Sequence, residues 1–222
     1  MSIRKQYDSD LESLKTALVE MGQNAAEAVE HALEALCTAD TAAAQKIVQG
    51  DDRINNMERD IEHRCMTLQL RQQPVAGDLR HISTAMKVVT DIERMGDHAS
   101  DIAEIIPHLV TVRKERDPAV SQAIAMGRKA YQMILDDMDA LTAEDETAAR
   151  RVIAADDAVD YDFNAITPPL AQEFAAAPAK VDAALDLLMV FKYLERIGDH
   201  AVNVAEWVQF VRTGRYKDES MF

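Results

Sequence analysis

Acidic side chains recur through this chain at intervals of four residues, the spacing that stacks oxygen donors along one helix face. Glu93, Asp97 and Asp101 form one such series, continued by Glu104. Glu195, Asp199, Asn203 and Glu206 form another, 102 residues further on. Carboxylates at i and i+4 repel by a few tenths of a kcal/mol. A divalent or trivalent cation reverses that penalty, because hard oxygen ligands then converge on one ion. Two further pairs can add donors: Asp51 with Asn55, and Asp156 with Asp160, each one helical turn apart. A solvated acidic face relieved locally by Arg94 and Arg196 fits the spacing too. The repetition favours two metal sites, whose all-oxygen ligation suits Fe, Mn or Mg, and Zn without thiolates.

The repetition is closer than the acids alone. ERMGDHASDIAE at Glu93–Glu104 returns as ERIGDHAVNVAE at Glu195–Glu206, with eight of twelve positions identical, so the chain reads as two copies of one unit. His98 and His200 stand about 100° round the helix from the neighbouring acids. They read as polar flank residues, or as groups behind the metal ligands. Gly96 and Gly198 lie within helical pattern, where glycine costs roughly 1 kcal/mol against alanine; a close helix approach or a nearby ligand would justify it, and packing is the reading preferred. His31, His63, His81 and His108 have no paired metal spacing. Asp60-x-x-His63 and Asp78-x-x-His81 only approach the Glu-x-x-His of diiron bundles and are not duplicated. No phosphate loop, nucleophile elbow or zinc-protease helix is present, so the chain is not expected to be an enzyme.

Six helices can position these groups. Apolar periodicity runs over Tyr7–Leu36, Thr41–Leu70 and Val75–Val110, then Ala119–Leu141, a fifth helix to about Phe174, and Ala179–Val211. Gln72-Gln73-Pro74, the stretch Arg113–Asp117 with Pro118, and Pro178 separate them, and Pro168-Pro169 should bend or break the fifth. In the third helix Ile92, Met95, Ala99, Ile102 and Ile106 form the core stripe. Leu194, Ile197, Ala201, Val204 and Val208 do so in the sixth, and both acidic series point the other way. The fold class is all-α: a tandem repeat of two antiparallel three-helix bundles, residues 1–112 and 118–213. The tail after Gly214 lacks a pattern. Trp207 reads as an interface anchor or bundle cap, and the methionines as deformable packing.

Composition narrows the partners. A hydrophobic content of 48% supports a real core. A formal charge of -15 argues against nucleic acid, whose backbone demands a cationic face. No run of 18 apolar residues exists, and the first twenty residues carry no signal-peptide core. Cys37 and Cys65 have no metal or redox spacing and read as thiols in a reducing compartment, which points to the cytoplasm.

The doubled ERMGDHASDIAE/ERIGDHAVNVAE, RQQPVAGDLRHIS at Arg71–Ser83 and DDRINNMERDIE at Asp51–Glu62 together resemble the PhoU family of phosphate-signalling and phosphate-transport regulators, over nearly the whole chain. The resemblance implies tandem three-helix bundles with metal ions on acidic surfaces. The family's Glu/Asp-x-x-x-Asp pattern is met by Glu93/Asp97, Asp97/Asp101, Asp156/Asp160 and Glu195/Asp199, while Asn55 and Asn203 depart from it. It further implies a cytoplasmic negative regulator of the phosphate-starvation response, peripherally associated with membrane complexes. Such a regulator couples a phosphate ABC transporter, through its ATPase subunit, to a membrane sensor histidine kinase, and commonly forms a homodimer. The alternatives are a general metal-binding helical scaffold or a bundle metalloenzyme with no link to phosphate.

Overall fold

A computed structural model describes residues 3–71, 74, 76–112, 117–176, 181–217 and 219–220. The order is α1 (Ile3–Thr38), α2 (Thr41–Gly50), α3 (Asp52–Arg71), α4 (Ala76–Val112), α5 (Pro118–Ala143), α6 (Glu146–Ala176) and α7 (Val181–Thr213), then β1 (Arg215–Tyr216) and β2 (Glu219–Ser220). Gln72, Gln73, Pro178 and residues 113–116 of the expected link lie outside the described residues.

Local chemistry explains most boundaries. After α1, Ala39 takes a left-handed φ of 54° and Asp40 accepts from the amides of Ala42 and Ala43, capping α2. Asp117 caps α5 through the Ala119 amide with Pro118 at the first turn, and Glu144 closes that helix at φ 50°. Two expectations change. The second expected helix is interrupted at Asp51, between α2 and α3, although Asp51 keeps helical angles of φ -57° and ψ -38°. Pro168 and Pro169 do not break α6. Both are exposed, as are Asn164 and Ala165 four residues back, so carbonyls that lose a helical donor face water.

The two apolar stripes are buried as their spacing requires: Ile92 through Ile106 on α4 and Leu194 through Val208 on α7 are at most 1% exposed. α1, α2, α3 and α4 form the first bundle, and α5, α6 and α7 the second. The bundles share a core, because α1 packs along α5 and α4 packs along α7 in the most extensive pairing of the fold. α4 and α7 run antiparallel: Gly214 lies against Arg80 at one end, and His108 meets Asp186 at the other. The patternless tail is a short hairpin, with Arg215 opposite Ser220 and Tyr216 opposite Glu219. Tyr216 stacks on Trp207 at 4.2 Å, so Trp207 is capped from within the chain.

Candidate functional site

The acidic series do not point straight outward, because α3 lies over the α4 series and α6 over the α7 series. Glu93 and Glu195 are each only 14% exposed at the side chain. Gly96 permits this closeness: a Cβ there would meet Ile54 Cδ1 of α3 at 2.6 Å. At Gly198 a Cβ would meet Asp156 Oδ1 of α6 at 2.6 Å. The packing role expected for both glycines holds, and at Gly198 the neighbour is itself a carboxylate.

The first cluster brings together Glu93, Asp97 and Asp101 from α4 with Asp51, Asn55 and Glu58 beneath α3. Burial, then the charge of Asp97, pushes the Glu93 carboxyl up to about 7, and Glu58 and Asp51 contribute. Burial and Asp97 likewise raise Asp51. Burial and Glu62 raise Glu58, a residue the sequence reading missed. Asn55 donates to Asp51 Oδ2 at 3.0 Å, which leaves its Oδ1 buried with no hydrogen bond from the described residues. Glu93 Oε2 is also buried without a hydrogen bond, although Arg94 Nε approaches to 3.4 Å. An open groove of about 700 Å³, lined by Lys46, Asp51, Arg53, Ile54, Gly96 and Arg128 among others, reaches this cluster from solvent.

The second cluster joins Glu195 and Asp199 of α7 to Asp156 and Asp160 of α6. Burial, then Asp160, Asp199 and Glu195, push the Asp156 carboxyl up to about 6. Its Oδ1 is buried with no hydrogen bond from the described residues. Resident cations differ from those of the first cluster. Arg196 bonds Asp199 at 3.0 Å, as Arg94 bonds Asp97 at 2.9 Å, but Lys192 also reaches Glu195.

Of the two histidines, His98 stands behind the first cluster on its Asp101, whereas His200 turns to Asp91. They meet on the α4–α7 seam, with ring centroids 5.7 Å apart. His98 pairs with Asp101 at 3.2 Å and stacks on Tyr193. Burial lowers its basicity. His200 Nδ1 bonds Asp91 at 2.8 Å, and Asn203 donates to the same oxygen at 3.0 Å. Asn203 therefore turns its amide nitrogen to the seam, toward an acid the sequence reading overlooked.

Among the described residues no three His, Cys, Asp or Glu side chains converge closely enough to hold a metal ion. The donor chemistry nevertheless fits a hard cation: half-buried carboxylates crowd one another, and Glu93, Asn55 and Asp156 each keep a buried oxygen with no hydrogen bond from the described residues. Such oxygens are costly unless something satisfies them. Among the described residues no helix is long and apolar enough to cross a membrane.

An all-α tandem bundle with an acidic cluster in each half defines the class. The PhoU domain model matches residues 18–106 and 124–208, one match per half, and the chain belongs to the PhoU family. A phosphate-specific transport system accessory protein PhoU homolog of Clostridium acetobutylicum is 40% identical, over 97% of this chain and 98% of its own length. A Pseudomonas aeruginosa relative of the same description is 33% identical over 96% of this chain and 87% of its own length. Crystal structures agree: PhoU from P. aeruginosa superposes with a TM-score of 0.89 at 32% identity, covering 94% of this chain and 100% of that one. The phosphate transport system regulatory protein PhoU from Streptococcus pneumoniae gives 0.83 at 27% identity, covering 96% and 99%.

Proposed function

We propose that the chain is a PhoU-type regulator of phosphate homeostasis, acting by binding rather than by turnover. The observation that carries this reading is the family match in each half, each match containing one acidic cluster. In the finer reading it is a cytoplasmic negative regulator, working as a homodimer. It links a phosphate ABC transporter ATPase to a membrane sensor histidine kinase and restrains both when phosphate is ample. An acidic surface of this kind suits basic partner faces.

Glu93, Asp97, Asp101, Asp51 and Asn55 would hold a cation in the first half, and Glu195, Asp199, Asp156 and Asp160 in the second, Asn203 being turned to Asp91. A bound hard cation supplies positive charge that the crowded carboxylates lack. The carboxylates draw α3 to α4 and α6 to α7 once their repulsion is relieved, which stiffens the faces a partner would read. Proton release must accompany binding, because Glu93 and Asp156 are held up to about 7 and about 6. Mn²⁺ affinity should therefore fall as pH drops from 8 to 6, which calorimetry at each pH will measure. A flat profile would remove these two residues from the ligand set.

The function is tested in the host by deletion of the gene. Phosphate-starvation genes should become constitutively expressed. Wild type should restore repression, whereas a chain with Glu93→Ala, Asp97→Ala, Glu195→Ala and Asp199→Ala should not, at equal abundance. Unchanged expression on deletion would overturn the phosphate reading, and full rescue by the variant would detach the clusters from it.

A further inference from the structure

The two clusters occupy equivalent places but differ in the cation that lies on the equivalent glutamate, and the difference traces to particular side chains. α4 and α7 correspond at an interval of 102 residues. α3 and α6 correspond at 105, a register anchored in space by Ile54 over Gly96 and Val159 over Gly198. At these registers Thr90 stands where the second half has Lys192, and Glu58 where it has Phe163. Lys192 Nζ lies 2.5 Å from Glu195 Oε2 and 5.3 Å from the centre of the Phe163 ring. Its stem thus crosses α7 toward α6, and its charge sits on the acid equivalent to Glu93.

Glu93 and Glu195 are equally exposed, at 14%, so burial does not distinguish them. The arginines make matching pairs with Asp97 and Asp199, and Arg94 Nε also comes within 3.4 Å of Glu93 Oε2, a longer approach than the 2.5 Å of Lys192 on Glu195. Exchanges farther from these glutamates run both ways: Glu58, Glu62 and Asp101 give way to Phe163, Thr167 and Asn203, while Asn55 becomes Asp160 and Arg53 and Arg59 become Ala158 and Asn164. Beside the Glu93/Glu195 position itself the exchange is Thr90 for Lys192. At contact distance in a half-buried setting a single charge outweighs most hydrogen bonds. In the first cluster the equivalent oxygen, Glu93 Oε2, has no hydrogen bond from the described residues, and Glu58 adds to the repulsion.

We infer that Lys192 is a tethered cation built into the second acidic cluster, so that the first half takes its cation from solution while the second is partly neutralised from within. This rests on the cation-binding reading above. It makes Lys192 a residue that sets affinity and stoichiometry: the two halves respond to different metal concentrations, and metal must displace the ammonium from Glu195 to fill the second site.

The full-length chain, stripped of metal, is titrated with Mn²⁺ alone, with free Mn²⁺ followed by electron paramagnetic resonance. Wild type should show one tight class of site, abolished by Glu93→Gln, and a second class at least about tenfold weaker. Lys192→Met, which keeps the stem over Phe163, should tighten the second class by about tenfold or more. Lys192→Arg should retain the wild-type pattern, and Thr90→Lys should weaken the first class. Thermal unfolding supplies a second readout: Lys192→Met should gain more in Tm from a fixed Mn²⁺ concentration than wild type does. Two sites of equal affinity in wild type, or a second class that Lys192→Met leaves unmoved, would overturn the role of Lys192 while leaving cation binding intact. Absence of Mn²⁺ binding by both wild type and Lys192→Met would overturn both readings.

Discussion

Replacing Asp137 by asparagine should stabilise the protein, and by more as pH rises. Asp137 lies on the inner face of α5 with 0% exposure, between Met133, Ile134, Met138 and Leu141 in the core series. Neither carboxyl oxygen has a hydrogen bond from the described residues. Burial pushes its carboxyl well above the usual range, and the charges of Asp136 and Asp91 push the same way. A group whose proton is held more tightly in the folded state contributes stability at low pH, and that contribution drains away as pH climbs above its unfolded value. Each pH unit over which the folded carboxyl stays protonated while the unfolded one ionises costs about 1.4 kcal/mol. Asparagine has the same shape and no such titration. Urea unfolding at pH 5 and pH 8 checks this: the gap between Asp137→Asn and wild type should widen at pH 8. An unchanged gap would mean that the carboxylate ionises in place.

The opposite sign is expected at Asp91. Its Oδ1 receives both His200 Nδ1 and Asn203 Nδ2 on the α4–α7 seam, where His200 is only 8% exposed. Asp91→Leu removes the acceptor and strands two donors, at about 1–3 kcal/mol for each one left buried. A loss of about 2–4 kcal/mol follows, with the usual allowance for repacking. A double-mutant cycle with His200→Leu should recover a coupling of at least about 1 kcal/mol, since the two act as one network. Additive losses would show that the seam is held by its apolar contacts alone.

The sequence carried the helices and their buried faces, because both follow from a periodicity each helix keeps on its own. It carried the residues of the acidic series for the same reason. It did not carry their surroundings: a helical wheel placed Glu93 and Glu195 opposite the core, yet α3 and α6 cover that opposite face. Nor did it carry the meeting of His98 with His200, since the seam between α4 and α7 exists only once two bundles are packed together, although His98 does flank Asp101. The break at Asp51 was hidden because that residue stays helical in its own angles and no proline marks it. Glu58 was within reach, as Asp51, Asn55, Glu58 and Glu62 follow helical spacing. So was Asp137, a single acid in an otherwise apolar series.

The seam has a symmetry written into its contacts. His98 touches Tyr193 while His200 touches Asp91, and positions 91 and 193 correspond between halves just as 98 and 200 do. Residue i meets j, and the counterpart of i meets the counterpart of j, which is the rule of an isologous two-fold interface. The chain is therefore built as a homodimer of half-length units joined into one polypeptide. The halves are not identical across the seam, as Lys192 against Thr90 and Asn203 against Asp101 show. The pairing of α4 with α7 buries this self-complementary face within one chain, so any association between whole chains has to be made through a different surface.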